Sequence, residues 1–141
     1  MPLEDNCIFC KIIKGEIPSA KVYEDDLVYA FLDIAPFNFG HTLVVPKTHD
    51  FSITTLPREY LAAMMTAAAK IAPAILHATK AGGFNLLLNN GPVAGQEVPH
   101  AHLHIIPRFV DDATLLAAAK KHYEGSQIAE MAEAIRTRLN A

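Results

Sequence analysis

The chain has 141 residues, 51% of them hydrophobic and 19% charged, enough for one domain with a proper core and too apolar for a disordered polymer. Its formal charge of -3, with 12 scattered lysines and arginines, argues against a nucleic-acid polymer as partner, because a phosphate backbone needs clustered cations. The opening MPLEDNC is acidic and has no signal-like apolar segment, and no apolar run approaches the length of a membrane span; a cytoplasmic protein with no membrane partner is expected.

In chain order the first motif is CIFC, Cys7-x-x-Cys10. Two intervening residues let both thiolates reach one tetrahedral ion, but this is half a zinc shell and needs two more ligands. A redox pair is the rival, although no strand precedes the motif and no βαβ pattern surrounds it. In a reducing compartment both thiols are expected to be unbridged. Lys21 to Glu24 and Leu27 to Ile34 then read as a hairpin turned at Asp25-Asp26. Asp33 is a lone acid at the end of an apolar run, either a solvent-facing strand end or a ligand for a hydroxyl group. Phe37 to Gly40 reads as a loop, His41 to Val45 as a third strand, and Pro46 to Asp50 as the exit from the sheet.

A long amphipathic helix is predicted from Pro57 to Lys80. Leu61, Met64, Met65, Ala68, Ile71, Ala72, Ile75 and Leu76 follow the i, i+3, i+4 rule and read as core packing. Pro57 suits the first turn, Gly82-Gly83 the stop, and Pro73 predicts a kink because it removes one helical hydrogen bond. His77 and His122 have no motif around them and are expected to face solvent. Phe84 to Leu88 reads as a fourth strand. The loop that follows, Asn89 to Gln96, holds two glycines whose N–H groups could cradle an anion; a plain connecting loop would look the same.

His100 to Arg108, HAHLHIIPR, carries the strongest signal. Three histidines alternate with Ala101, Leu103 and Ile105, the period of a half-buried strand, so the histidines are expected on one face and the apolar set in the core. Pro107 is expected to end the strand. The face has three readings: a polar strand surface, a metal site, or a histidine nucleophile flanked by two others. Beyond Arg108, Asp112 to His122 and Gln127 to Leu139 read as helical segments broken at Gly125, a C-terminal extension (residues 111–141) packing on a body of residues 1–110. With four or five antiparallel strands and one long helix, the class is α+β.

HAHLHIIPR, preceded by CIFCKIIKGEIPSAKVYEDD, AFLDIAPFNFGHTLVVPKTH and NNGPVAGQEVPH, resembles the histidine-triad (HIT) family from Cys7 to Arg108, in particular its bacterial zinc-bearing members. The resemblance implies an antiparallel sheet of about five strands with the long helix packed on it, and a homodimer formed through that helix and a sheet edge. It implies a hydrolase or transferase attacking the α-phosphate of a purine nucleotide that carries a leaving group: a phosphoramidate, an adenylate or a dinucleoside polyphosphate.

By the same resemblance His102 is the nucleophile and forms a nucleotidyl-histidine, His104 contacts phosphate or leaving group, and His41 lies close enough to tune them. A nucleophilic imidazole must be neutral, with one nitrogen free and the other donating to a fixed acceptor; on a strand a backbone carbonyl can serve. Gly95, Gln96 and Val98 would offer donors to phosphate, and Asn89 an amide. Asp33 would hold the ribose hydroxyls, and Ile8, Phe9, Ile12, Ile17 and Phe31 would line the nucleoside pocket. Cys7, Cys10, His49 and His100 match a Cys2His2 shell for one structural zinc per chain. Glu97 departs from the Ser or Thr of several members and bears on the leaving group. Two rivals stand beside the hydrolase: a metal enzyme using His100, His102 and His104 as ligands, which leaves CIFC unexplained, and a non-catalytic nucleotide-binding scaffold.

Overall fold

In the computed structural model, which describes residues 2–112 and 121–140, the alternating segments pair into one antiparallel sheet. Its strands are β1 (Lys21–Glu24), β2 (Val28–Leu32), β3 (Thr42–Pro46), β4 (Gly83–Leu87) and β5 (Leu103–Arg108), in the spatial order β1-β2-β3-β5-β4. Among the described residues three α-helices accompany it: α1 (Ile8–Ile13), α2 (Arg58–Thr79) and α3 (Gln127–Leu139). This is the α+β architecture expected from the sequence.

Both faces of the central strands are covered, and the two-residue period sorts their side chains. Val28, Ala30, Val44, Leu103 and Ile105 pack against Met64, Ala67, Ala68, Ile71, Ala72 and Ile75 of α2. The intervening Tyr29, Phe31, Leu43 and Val45 pack on the opposite face against Cys7, Phe9, Cys10 and Ile12. The predicted helical stripe is the packed one, except that Met65 stays exposed, Leu76 is only half-buried, and Ala67 is buried as well. Small alanines let α2 approach the sheet closely. By length and composition α2 is apolar enough to cross a membrane, contrary to the expectation that no run reaches that length; here its apolar stripe is the inner wall of the core.

The helix runs through Pro73, whose side lies at the surface. Its stop is not glycine. Lys80 takes the left-handed conformation at φ 61° and returns its N–H to the Leu76 carbonyl at 2.8 Å, so that β4 can begin only three residues later. Pro107 likewise stays inside β5 instead of ending it. The β3 ladder stops at Thr42↔Ile105, and the peptide group of residue 107 points past that end, where its carbonyl accepts from Asn38 Nδ2 at 2.9 Å. The missing N–H therefore breaks no sheet bond.

At the C-terminus, α3 has no buried residue, contrary to the expected packing on the body. Of the predicted helical segment Asp112 to His122, residues 113–120 lie outside the described residues. His77 and His122 are exposed, as expected.

Candidate active site and metal centre

The ends of β2 and β3 set up the first half of the site. Leu32 pairs with Thr42, so Asp33 and His41 face each other just beyond the ladder, and the Asp33 N–H donates to the His41 carbonyl at 2.9 Å. Residues 31, 33, 41 and 43 share the face that α1 covers. His104 lies directly across from Leu43 and diagonally from His41. The result is a row of rings: His41 Nε2 sits 2.9 Å from His104 Nδ1, and the ring centres of His102 and His104 are 4.9 Å apart.

Only His104 of the three alternating histidines belongs to β5; His100 and His102 precede it in irregular backbone, where the sequence period predicts strand. Here the main chain bonds outside the ladder. The Ala101 N–H donates to the Asp50 carbonyl at 2.7 Å, and the His100 N–H to the Val98 carbonyl at 2.8 Å. Freed from the pleat, His100 and His102 take different partners. His102 Nδ1 lies 2.7 Å from the His100 carbonyl, which must accept, so Nδ1 carries the proton and Nε2 keeps its lone pair. Burial holds its pKa below the ordinary histidine range, and the charges of Asp33 and Glu97 oppose that only in part. The imidazole is neutral at pH 7, with one nitrogen free for attack.

His41 and His104 can be read in the same way. The Phe37 N–H donates to His41 Nδ1 at 3.1 Å, which places the His41 proton on Nε2. Nε2–H then donates to His104 Nδ1, and His104 carries its own proton on Nε2. Burial pushes both pKa values down, that of His104 to about 4. Asp33, His41 and His104 hold three potential ligand atoms within 4.8 Å of one another, a geometry that could suit an ion. A neutral His41 whose Nδ1 already accepts a hydrogen bond has no lone pair on Nε2 to offer one, so the row is a hydrogen-bond chain.

The thiols form a second cluster. Cys7 caps the N-terminus of α1, its Sγ accepting the Cys10 N–H at 3.3 Å, so the two-residue spacing puts Cys10 one helical turn on and beside it. His100 Nδ1 is 3.3 Å from Cys7 Sγ and 3.5 Å from Cys10 Sγ, and His49 Nδ1 is 3.4 Å from Cys10 Sγ. A tetrahedral ion at ordinary zinc–sulfur and zinc–nitrogen lengths puts such atoms about 3.6 Å apart, so the donor set fits zinc. The far nitrogen of His100 is tied down as a ligand shell requires, and that of His49 has a carboxylate nearby. His100 Nε2 donates to the Pro46 carbonyl at 3.0 Å, and His49 Nε2 lies 3.6 Å from Glu4 Oε2. Burial drives the His100 pKa to about 4 and raises that of the Cys10 thiol. Phe9 is the wall between the clusters, edge-on to His100 at 5.9 Å and to His102 at 5.1 Å between ring centres.

The remaining predicted residues divide. Phe9, Phe31 and Ile12 are buried in one cluster, Phe9 against His100 and His102, with Ile17 and Val98 packed against the same cluster. Ile8 is exposed and Asn89 partly buried. Of the two readings of the Asn89 to Gln96 loop, the structure has the closed connecting loop. The Gly91 N–H donates to Gln96 Oε1 at 2.7 Å, the Gly95 N–H to the Pro92 carbonyl at 3.0 Å, and the Gln96 N–H to the Gly91 carbonyl at 3.2 Å. The Gln96 side chain and the 3₁₀ turn at Pro92–Ala94 with its flanks consume these donors, and Gln96 Nε2 is bound to the Phe51 carbonyl at 2.8 Å. Gly95 and Gln96 are thus loop-forming here, and Asn89 steadies them by reaching the Gly95 carbonyl at 3.4 Å. Glu97 is exposed and makes no hydrogen bond or ion pair among the described residues. The Phe37 amide and the carbonyls of Pro46 and His100 carry no sequence signal, being backbone groups.

The HIT domain of known families matches residues 14–111, and the chain belongs to the HIT-domain family. It is 46% identical to Protein hit of Bacillus subtilis (strain 168) over 142 aligned positions, covering 99% of this chain and 98% of that protein. It is 47% identical to the adenosine 5'-monophosphoramidase HNT1 of Saccharomyces cerevisiae, covering 81% of this chain and 70% of that one. The adenylylsulfatase HINT3 of Arabidopsis thaliana is also 47% identical, over 75% of this chain and 54% of its own length. Among solved structures, SMU.412c from Streptococcus mutans UA159 superposes with a TM-score of 0.90 at 41% identity, covering 96% of this chain and 87% of that one. A zinc-bound histidine triad protein from Mycobacterium smegmatis superposes at 0.72 with 34% identity, covering 96% of each chain.

Proposed function

We propose that the chain is a nucleotide hydrolase that attacks the α-phosphate of a purine nucleotide bearing an amine, acyl or phosphate leaving group. The observation that carries this reading is the hydrogen bond from His102 Nδ1 to the His100 carbonyl, which leaves a neutral Nε2 lone pair in a buried row of histidines. In the first step that lone pair forms a bond to phosphorus. The bond from phosphorus to the leaving atom breaks, and the leaving atom departs with the bonding pair and takes a proton from solvent. In the second step the oxygen of a water bonds to phosphorus, the P–Nε2 bond breaks, its pair returns to His102, and the water's proton passes to solvent. The nucleoside monophosphate is released.

His104 Nε2–H would donate to the phosphate or to the leaving atom as charge develops there. His41 would hold His104 in that tautomer. Asp33 would accept the ribose hydroxyls, with Phe9, Ile12, Ile17 and Phe31 around the base and Ile8 at its rim. Among the loop donors, the Val98 N–H is engaged by no hydrogen bond among the described residues and is the favoured phosphate contact. The Gly95, Gln96 and Asn89 loop would shape the phosphate end, and Glu97 would favour amine leaving groups.

Cys7, Cys10, His49 and His100 would hold one zinc per chain, which when bound cross-links α1 to the β3 exit and to the lead-in of β5. Its four protein ligands fill a tetrahedron, so it would act as a structural ion. Both thiols are free and buried, which suits a reducing compartment such as the cytoplasm. The active unit would be a homodimer.

The test is AMP release from adenosine 5'-phosphoramidate in the presence of a chelator, for the wild type and for His102→Ala. Release by the wild type and loss in the variant are expected. Equal rates would defeat the nucleophile assignment, and rapid loss of activity in chelator would favour a catalytic metal.

A further inference from the structure

The hydrogen-bond chain through His41 begins at one backbone amide, that of Phe37, in a loop with no regular structure. Such a loop would not by itself keep an N–H aimed at an imidazole nitrogen. The residue beside it supplies the anchorage. Asn38 Nδ2 donates to the Pro107 carbonyl at 2.9 Å and to Asp112 Oδ2 at 2.7 Å, and the Asn38 carbonyl accepts the His41 N–H at 3.1 Å. Asp112 Oδ2 also accepts from Arg108 Nε at 2.8 Å, and the Arg108 and Asn38 donors keep the Asp112 carboxyl ionised by lowering its pKa. The other end of the loop is fixed by Gly40, at φ +96°. A Cβ there would stand 2.7 Å from Thr79 Cγ2 at the end of α2, so only glycine lets the chain pass. The Phe37 ring completes the arrangement by stacking on His41, 5.6 Å between centres and 19° from parallel.

We propose that Asn38, held by Asp112 and the Pro107 carbonyl, is a positioning residue that fixes the Phe37 amide on His41 Nδ1 and thereby sets the tautomers of both His41 and His104. If the amide moves away, His41 is free to carry its proton on Nδ1. His41 Nε2 then turns a lone pair toward His104 Nδ1, which must take up a proton of its own in compensation. His104 would present a lone pair instead of an N–H to an anionic substrate, losing the donor that the developing charge requires. The effect reaches the chemistry through two imidazoles, without Asn38 touching substrate. This rests on the hydrolase reading for its kinetic consequence, but the tautomers themselves are observable without turnover.

The experiment uses the full chain with ¹⁵N-labelled histidine and reads long-range ¹H–¹⁵N correlations of His41 and His104, alongside steady-state hydrolysis of adenosine 5'-phosphoramidate. In the wild type both Nδ1 atoms should be unprotonated. Asn38→Ala should give a mixture of tautomers at both rings, with kcat lowered about tenfold and KM changed less than about twofold. Asp112→Asn, a milder change that keeps one acceptor oxygen, should shift the tautomers in the same direction and by less; it stands in if Asn38→Ala does not fold. A wild-type His41 protonated on Nδ1 overturns the proposal. So do variants that keep wild-type tautomers, whatever happens to kcat. Tautomers that shift as described in a protein that releases no AMP would support the positioning role and overturn the hydrolase reading instead.

Discussion

His100 and His102 are two residues apart in one short lead-in to β5, both buried, both flanking Phe9, yet the structure leaves opposite nitrogens of the two rings available. His100 commits Nε2–H to the Pro46 carbonyl and turns Nδ1 to the two thiols; His102 commits Nδ1–H to the His100 carbonyl and keeps Nε2 free. Which nitrogen meets a backbone carbonyl decides which lone pair remains, and in the function proposed above that separates the ring that would hold an ion from the ring that would attack a phosphorus. The lesson is that residue type and spacing define a set of candidates, while a single carbonyl assigns each one its task. The two clusters also lean on each other, since the carbonyl that orients the proposed nucleophile belongs to a residue of the thiol cluster.

That division can be broken at either side. The largest effect is expected for His102→Ala, which should lower kcat by about 10³-fold or more for loss of a nucleophile, while zinc content stays at the wild-type level by atomic absorption. Bound zinc lost in that variant would mean that the two clusters are not separable. Cys10→Ser should do the reverse. Metal should fall out of stoichiometry and stability should drop by about 3 kcal/mol or more in urea unfolding, since both a buried ligand and its ion are lost. Activity should survive at temperatures where the variant remains folded, and a variant that binds zinc as tightly as the wild type would remove Cys10 from the shell. Asp33→Asn should raise KM for a ribonucleotide about tenfold, the effect of one charged hydrogen-bond acceptor, and should lose that penalty against the 2',3'-dideoxy analogue. Equal penalties on both substrates would detach Asp33 from the ribose.

The smallest effect concerns pH. The pKa of His104 lies at about 4 in the fold against 6.5 for the ordinary side chain, so between those limits the unfolded chain binds a proton that the folded chain does not. Stability from this ring is full above pH 6.5 and declines as the pH falls toward 4, by on the order of 1–3 kcal/mol. Urea midpoints measured across that range should fall with acid, and should fall less in His104→Asn. A midpoint that is flat from pH 7 to 4 would contradict the buried neutral state of His104.

Much of this molecule was legible in its amino-acid sequence because periodicity is local. The two-residue alternation of Leu103 and Ile105 assigns them to a core, the i, i+3, i+4 spacing of Met64, Ala68, Ile71 and Ile75 assigns α2 to the same core, and CIFC puts two thiols within reach of one ion. His49 and His100 were joined to those thiols by family resemblance, and the fold brings the four within bonding range of a shared centre. What local pattern misjudged shares one cause. The strand expected at His100 is irregular because Ala101 bonds to Asp50, Pro107 stays in β5 because β3 has already ended, and α3 buries no residue; the loop of Gly91 and Gly95, which the sequence left open between anion nest and plain connector, is closed by Gln96 and by a 3₁₀ turn. Sequence alone determined which residues could face one another, since side-chain direction follows from the backbone period. Only the tertiary structure decided which nitrogen carries each proton and which amides are already spent, because those depend on carbonyls and N–H groups brought from distant parts of the chain, and a main-chain group looks the same at every position of a sequence.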